Sequence, residues 1–234
     1  MSKAYILGFM AVLSAVFGAA VCGLHLAAKP RVEHLRQLRT QRAWVEATAL
    51  AEAGGLDDAA VRRLVEEQMD TTGTLTDPET GRAVPLIKAY EDAARTRLKG
   101  YAFPFRGFGF WAPIEGILGV TPDLRRTTGL VILEQQETPG LGGRIAEPIF
   151  TQPFARGVTV APPVRAGQPF LTIRATAPDP AHPDAARHVD AISGATQTCL
   201  AMEKLLNEAL AGFHRAMAAH PAADPQAAAA HEGD

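Results

Sequence analysis

The chain has 234 residues, 47% of them hydrophobic, with a formal net charge of -2. That length holds one fair-sized domain plus appendages, and the near-neutral balance argues against a nucleic-acid partner. The two cysteines, Cys22 and Cys199, give neither a disulfide framework nor a cysteine metal cluster. The seven histidines lack zinc spacing, and His182 and His188 lie in the loop-like stretch "APDPAHPDAARH", so no metal site is expected.

From Ala4 to Leu24 no residue is charged, and the apolar run continues to Lys29. A helix needs about 20 apolar residues to cross the hydrocarbon core. A cleaved signal peptide usually has a shorter core, about 7–15 residues, and the junction before Lys29 lacks a clean Ala-x-Ala. The reading is therefore a single retained transmembrane helix over residues 1–29. Ser14, Gly18 and Cys22 fall four apart on one of its faces, a spacing that lets a second membrane helix approach closely. Only Lys3 and the amino terminus precede the span, whereas Lys29, Arg31, Arg36, Arg39 and Arg42 follow it. Taken alone, that charge count leaves the C-terminal part in the cytoplasm.

Pro30 to Leu50 is charged and helix-forming, a juxtamembrane helix that Gly54-Gly55 would end. Asp57 or Asp58 caps a second helix running to Met69. "TLTDPETGRAVPL" reads as a hairpin turning at Asp77 to Gly81, and Ile87 to Leu98 as a short helix. Beyond residue 100 come β-type runs, "YAFPF", "FGFW", "EGILGV", "TGLVILEQQ" and "PFLTIRAT", split by Gly and Pro. A final helix then shows apolar spacing at Met202, Leu205, Leu206, Ala209, Leu210 and Phe213, with Ser193 as its expected N-cap. Strands that cluster and then meet helices predict an α+β fold with a mainly antiparallel sheet. The expected organisation is an anchor (1–29), juxtamembrane helices and hairpin (30–100), a sheet-bearing core (101–215) and a disordered tail (216–234).

Three segments carry the chemistry. "RGFGFWAPIEG" sets Trp111 beside Gly107 and Gly109, and "ETPGLGG" follows a strand with Glu137, Thr138, Gly140, Leu141 and Gly142. Glycines there let the backbone approach a flat ligand, and Leu141 can press on a ring face. "DAISGAT" places Asp190, Ser193, Gly194, Ala195 and Thr196 at the start of the last helix, where free N–H groups and a partial positive charge suit a phosphate. The Rossmann spacing is absent, so no dinucleotide fingerprint is read.

Together these segments resemble the covalent FMN-binding domain family of bacterial respiratory flavoproteins. Its attachment signature is Asp, two variable residues, Ser or Thr, then Gly-Ala-Thr, matched here by Asp190, Ser193, Gly194, Ala195 and Thr196. The resemblance implies FMN joined through its phosphate to Thr196, lined by Glu137, Thr138, Gly140, Leu141, Gly142 and Trp111. It implies no catalytic residue in this chain and a separate flavin transferase for maturation. Within the family the chain is most similar to the C subunits of sodium-translocating NADH:quinone reductases. The related G subunits of the ferredoxin:NAD (Rnf) complex, or a stand-alone anchored carrier, are the alternatives. The resemblance further implies other membrane, flavin and iron–sulfur subunits as partners. It places the chain in the bacterial inner membrane with the C-terminal domain periplasmic, against the charge count. The Pro/His-rich stretch Pro178 to Pro183 departs from the family pattern.

Overall fold

The structure, a computed structural model, describes residues 2–165, 167–179 and 181–220. The chain divides into two units between Thr40 and Gln41. In the first, helix α1 (Lys3–Ala47) begins and carries the apolar run with every residue from Ser2 to Gln37 exposed. It is long and apolar enough to cross a membrane. The juxtamembrane segment is not a separate helix, because α1 runs unbroken through Pro30. Nor do Gly54-Gly55 end it: α1 stops at Ala47, and Ala53–Gly55 is a short 3₁₀ turn of its own.

The second unit is built on a five-stranded sheet of β1 (Met69–Thr76), β2 (Ala83–Tyr90), β3 (Leu98–Phe108), β4 (Pro113–Val120) and β5 (Thr127–Glu134). The strands follow one another in space and every neighbour is antiparallel. Because side chains alternate along a strand, the sheet feeds two cores. Tyr101, Phe103, Phe105, Ile114, Leu118, Val120, Leu130 and Ile132 point to one face, with Leu206, Leu210 and Phe213 of the last helix, α4 (Thr196–Ala219). Ile87, Ala89, Ala102 and Ile117 point to the other, with Ala43, Val45 and Ala47 of α1 and Val61 and Val65 of α2 (Asp58–Gln68). The α+β expectation, helices flanking an antiparallel sheet, therefore holds.

Helix α2 starts as expected, with the Asp57 carboxylate accepting the Ala60 N–H at 2.7 Å. The hairpin also stands, but the helix expected over Ile87 to Leu98 is absent: Ile87 to Tyr90 complete β2 and Leu98 opens β3. Leu86 belongs to one core and Ile87 and Ala89 to the other, a period of two with both faces buried. "FGFW" is likewise not a strand of its own, since β3 ends at Phe108 and Gly109 to Ala112 turn into β4. The sheet crosses the boundary expected at residue 101, because β1 and β2 pair into it. Helix α3 (Pro148–Arg156), with Phe150 and Phe154 buried, was not foreseen. A small parallel pair, β6 (Thr172–Arg174) and β7 (His188–Asp190), completes the fold. Helix α4 carries residues 216–219 of the expected tail; residues 221–234 lie outside the described residues.

The hairpin turn is tied to the far end of α4. Asp77, 2% exposed, accepts hydrogen bonds from Arg215 Nε at 2.9 Å and Nη2 at 2.7 Å, and from the Thr80 hydroxyl at 2.8 Å. The Arg215 guanidinium, more than any other neighbour, holds the Asp77 carboxyl well below the usual carboxylate range. A depressed folded-state value contributes stability that is full above that range and lost as pH falls through it. Asp77→Asn should therefore lower the Tm at pH 7, and the gap to the parent should close as pH drops below about 4. Thermal melts across pH check this.

Candidate functional site

Three loops converge at the N-terminal end of α4. The β3–β4 turn presents Phe110 and Trp111, whose rings meet edge to face at 4.7 Å. The segment after β5 presents Thr138, Leu141 and Gly142, shaped by the Thr138 carbonyl, which accepts the Leu141 N–H at 3.1 Å and the Gly143 N–H at 3.0 Å. The turn after β7 presents Gly194, Ala195 and Thr196. Together they line a cleft of about 350 Å³ with Gln197 and Thr198. Trp111, 67% exposed, and Leu141, also exposed, both line it.

The start of α4 has the backbone chemistry to seat an anion. Its N-cap residue, Ala195, supplies no side-chain hydrogen bond. The first backbone bond back into the turn comes from Cys199 N–H to the Ala195 carbonyl at 3.0 Å. The N–H groups of Thr196, Gln197 and Thr198 precede it and have no intrahelical acceptor. Thr196 and Gln197 are exposed. Gly194 holds φ at +79°, a left-handed conformation that a side chain would strain. A Cβ there would also crowd Leu141 at 3.0 Å. None of the described lining residues is charged. An anion here meets backbone donors and the helix dipole rather than Lys or Arg.

Of the residues singled out in the sequence, Trp111, Thr138, Leu141, Gly142, Gly194, Ala195 and Thr196 come together at the cleft. Ser193 is exposed in the turn and is not the N-cap; that position belongs to Ala195, so α4 begins at Thr196, two residues later than a Ser193 cap would start it. Gly140 takes positive φ (+75°) beside the cleft without lining it. Asp190 ends β7 with its side chain 81% exposed and 3.1 Å from His188 Nε2. Glu137 is buried behind the lining rather than in it. Phe110, Gln197 and Thr198 also line the cleft and were missed. Phe110 could have been suspected as an aromatic beside Trp111, whereas nothing local marks Gln197 or Thr198.

Residues 109–211 match the FMN-binding domain. The match spans both glycine-rich loops and most of α4. The C subunit of the Na(+)-translocating NADH-quinone reductase of Chlamydia pneumoniae is 34% identical over 124 residues, 48% of this chain and 38% of that protein. Its namesake in Pseudomonas aeruginosa is 25% identical over 231 residues, 83% of this chain and 85% of that protein. The chain spans about two fifths of the length of the first two chlamydial relatives it matches (38% and 40%). A crystal structure of the namesake from Parabacteroides distasonis superposes with a TM-score of 0.60 at 19% identity, covering 79% of this chain and 94% of that one. The crystal structure of NqrC from Shewanella oneidensis gives 0.52 at 20% identity, covering 76% and 88%. These two share the fold.

The turn that presents Thr196 is tied down from beneath. Cys199 is buried, and burial pushes its thiol up, so it stays protonated at neutral pH. Its Sγ accepts the Ile192 N–H at 3.3 Å. Cys199→Ala removes that acceptor without adding bulk and leaves the buried N–H unpaired, at a cost of about 1–3 kcal/mol. Denaturant titration should show this loss, with Cys199→Ser recovering most of it by restoring an acceptor.

Proposed function

We propose that this chain is the FMN-carrying electron-transfer subunit of a sodium-translocating NADH:quinone reductase, with the flavin esterified through its phosphate to Thr196. One observation carries the reading. An exposed threonine opens a 24-residue helix whose N-cap has no side-chain acceptor, inside the segment that matches the FMN-binding domain.

The residues present fit the cofactor. The phosphate would lie against the N–H groups of Thr196, Gln197 and Thr198, where the helix end favours its charge. Trp111 and Leu141 flank the space above, one offering an aromatic face and the other an aliphatic one. Bound FMN supplies the ability to take up and release single electrons. The chain seats that group, fixes its orientation and shields one side from water. Because a threonine hydroxyl is a weak nucleophile, a separate flavin transferase makes the bond, and the exposed Asp190 belongs to the surface that enzyme reads.

The apolar run of α1 anchors the chain in the bacterial inner membrane, and the FMN-bearing unit lies on the periplasmic side. Electrons from NADH reach it through the other flavin and iron–sulfur subunits and pass on towards quinone. Similarity along most of both chains to the Pseudomonas aeruginosa protein favours this complex over the ferredoxin:NAD one.

Co-expressed with a flavin transferase, the chain should give a fluorescent flavin band after denaturing electrophoresis. Thr196→Ala should abolish that band while leaving the Tm within a few degrees of the parent. A band that survives Thr196→Ala rejects the ester. The orientation has its own test: a reporter active only outside the cytoplasm, fused after His220, should be active. An inactive reporter would put the unit on the cytoplasmic side.

A further inference from the structure

Glu137 lies just beyond β5 and is only 4% exposed. Its Oε1 accepts the backbone N–H groups of Phe110 at 2.9 Å and Trp111 at 3.0 Å. Its Oε2 accepts the buried hydroxyl of Thr198 at 2.8 Å. One carboxylate thus joins the aromatic turn after β3, the segment after β5 and the first turn of α4. Those partners lie 26, 27 and 61 residues away in sequence. Two glycines make room for the junction: a Cβ on Gly109 would run into Glu137 Oε1, and one on Gly142 into the Thr198 hydroxyl. Among the described residues no Lys, Arg or His forms an ion pair with Glu137.

We propose that Glu137 is a positioning residue with two effects on the cleft: it fixes Trp111 opposite Thr196, and it sets a buried negative charge behind the seat of the cofactor. The first effect follows from the bonds. Trp111 is mostly exposed, and its backbone is held through the Glu137 oxygen that shares a carboxylate with the partner of Thr198. Thr198 lies two residues beyond Thr196, so both walls of the cleft are referred to one group.

The second effect follows from what those bonds do not need. A glutamine amide could accept both N–H groups on its oxygen and donate to a rotated Thr198 hydroxyl, without the cost of burying a charge. The charge is therefore surplus to the bracing. A fixed anion repels each electron added nearby, with little screening away from water, so it lowers the reduction potential of a flavin in the cleft. This step rests on the FMN reading above; the bracing does not.

The test uses the full chain in detergent with Trp44→Phe, which leaves Trp111 as the single tryptophan. Without flavin, Glu137→Ala should lower Trp111 fluorescence anisotropy and raise its quenching by acrylamide, while Glu137→Gln keeps parental values. With flavin attached, Glu137→Gln should move the midpoint potential to a more positive value at parental flavin fluorescence. Thr198→Val, which keeps the charge, should leave the potential unmoved. Parental Trp111 anisotropy in Glu137→Ala overturns the bracing, and an unmoved potential in Glu137→Gln overturns the charge effect. If Glu137→Ala does not fold, Glu137→Gln and Thr198→Val still decide the second effect. Thr198→Val then decides the first, by whether Trp111 loosens when one link is cut. A parental chain that takes no flavin rejects the FMN reading instead, and the Trp111 measurements stand apart from it.

Discussion

Burial of one face of α4 against the sheet is the constraint from which the cleft follows. Leu206, Leu210 and Phe213 are fully buried, each worth about 1.5–3 kcal/mol against exposure. Phe213 stacks on Phe103 at 4.2 Å and 14°, which fixes both the rotation of the helix and its position along the axis. The flanking polar side chains hold the same register. Asn207 accepts the N–H groups of Phe170 and Leu171 and donates to the Leu171 carbonyl. Glu203 accepts the Ile173 N–H at 2.6 Å and pairs with Arg174. With the body of the helix set so firmly, the place of Thr196 is no longer free. A turn more or less of α4 would move the hydroxyl by about 5.4 Å.

This division of labour explains what could be read along the chain. The three/four spacing from Met202 to Phe213 marks the packed face because packing alone decides those residues. The turn before it is small and polar, and Thr198 and Cys199 are buried there to satisfy hydrogen bonds. No apolar period announces them, so the apolar spacing alone does not mark the first turn, and the cap expected at Ser193 falls two residues before its place at Ala195. The misreading of Ile87 to Leu98 has a related cause. Leu86, Ile87 and Ala89 serve cores on opposite faces of β2, and a strand buried on both sides loses the alternation that identifies it. Arg95 then takes φ +56° and the Asp92 side chain accepts from Thr96, making a turn from residues that suit a helix equally well. Helix α3 follows a glycine-rich segment and itself carries two prolines, Pro148 at its first position and Pro153 in its interior, which disguise it.

The site was legible as three motifs but not as an arrangement. Glycines after strands and small residues before a helix are local signals, and they led to seven of the residues that line the cleft. Which acidic residue turns inward is a long-range fact. Glu137 reads as lining the flavin because it belongs to the glycine-rich segment, yet its carboxylate points to Thr198, 61 residues away. Asp190 belongs to the attachment signature and still lies at the surface, beside His188. Membership of a motif therefore does not say which members touch the ligand and which build or mark the place for it.

The neutral lining bears on why a covalent bond would be made here. A single helix end contributes at most about 2 kcal/mol to an anion, and less where solvent screens it. No described lining residue adds a positive charge, and the exposed faces of Trp111 and Leu141 leave the cleft open on one side. Such a seat orients a phosphate better than it retains one. Cationic side chains would tighten binding, but they would also raise the potential of the flavin they hold, opposing the buried Glu137 carboxylate. The proposed ester to Thr196 would remove that conflict: it would prevent dissociation without adding a positive side chain, and would leave the electrostatics of the cleft to the helix end and to Glu137. On the proposed periplasmic placement, where lost cofactor would not be readily replaced, permanent attachment and an independently tuned potential would coexist in one small cleft.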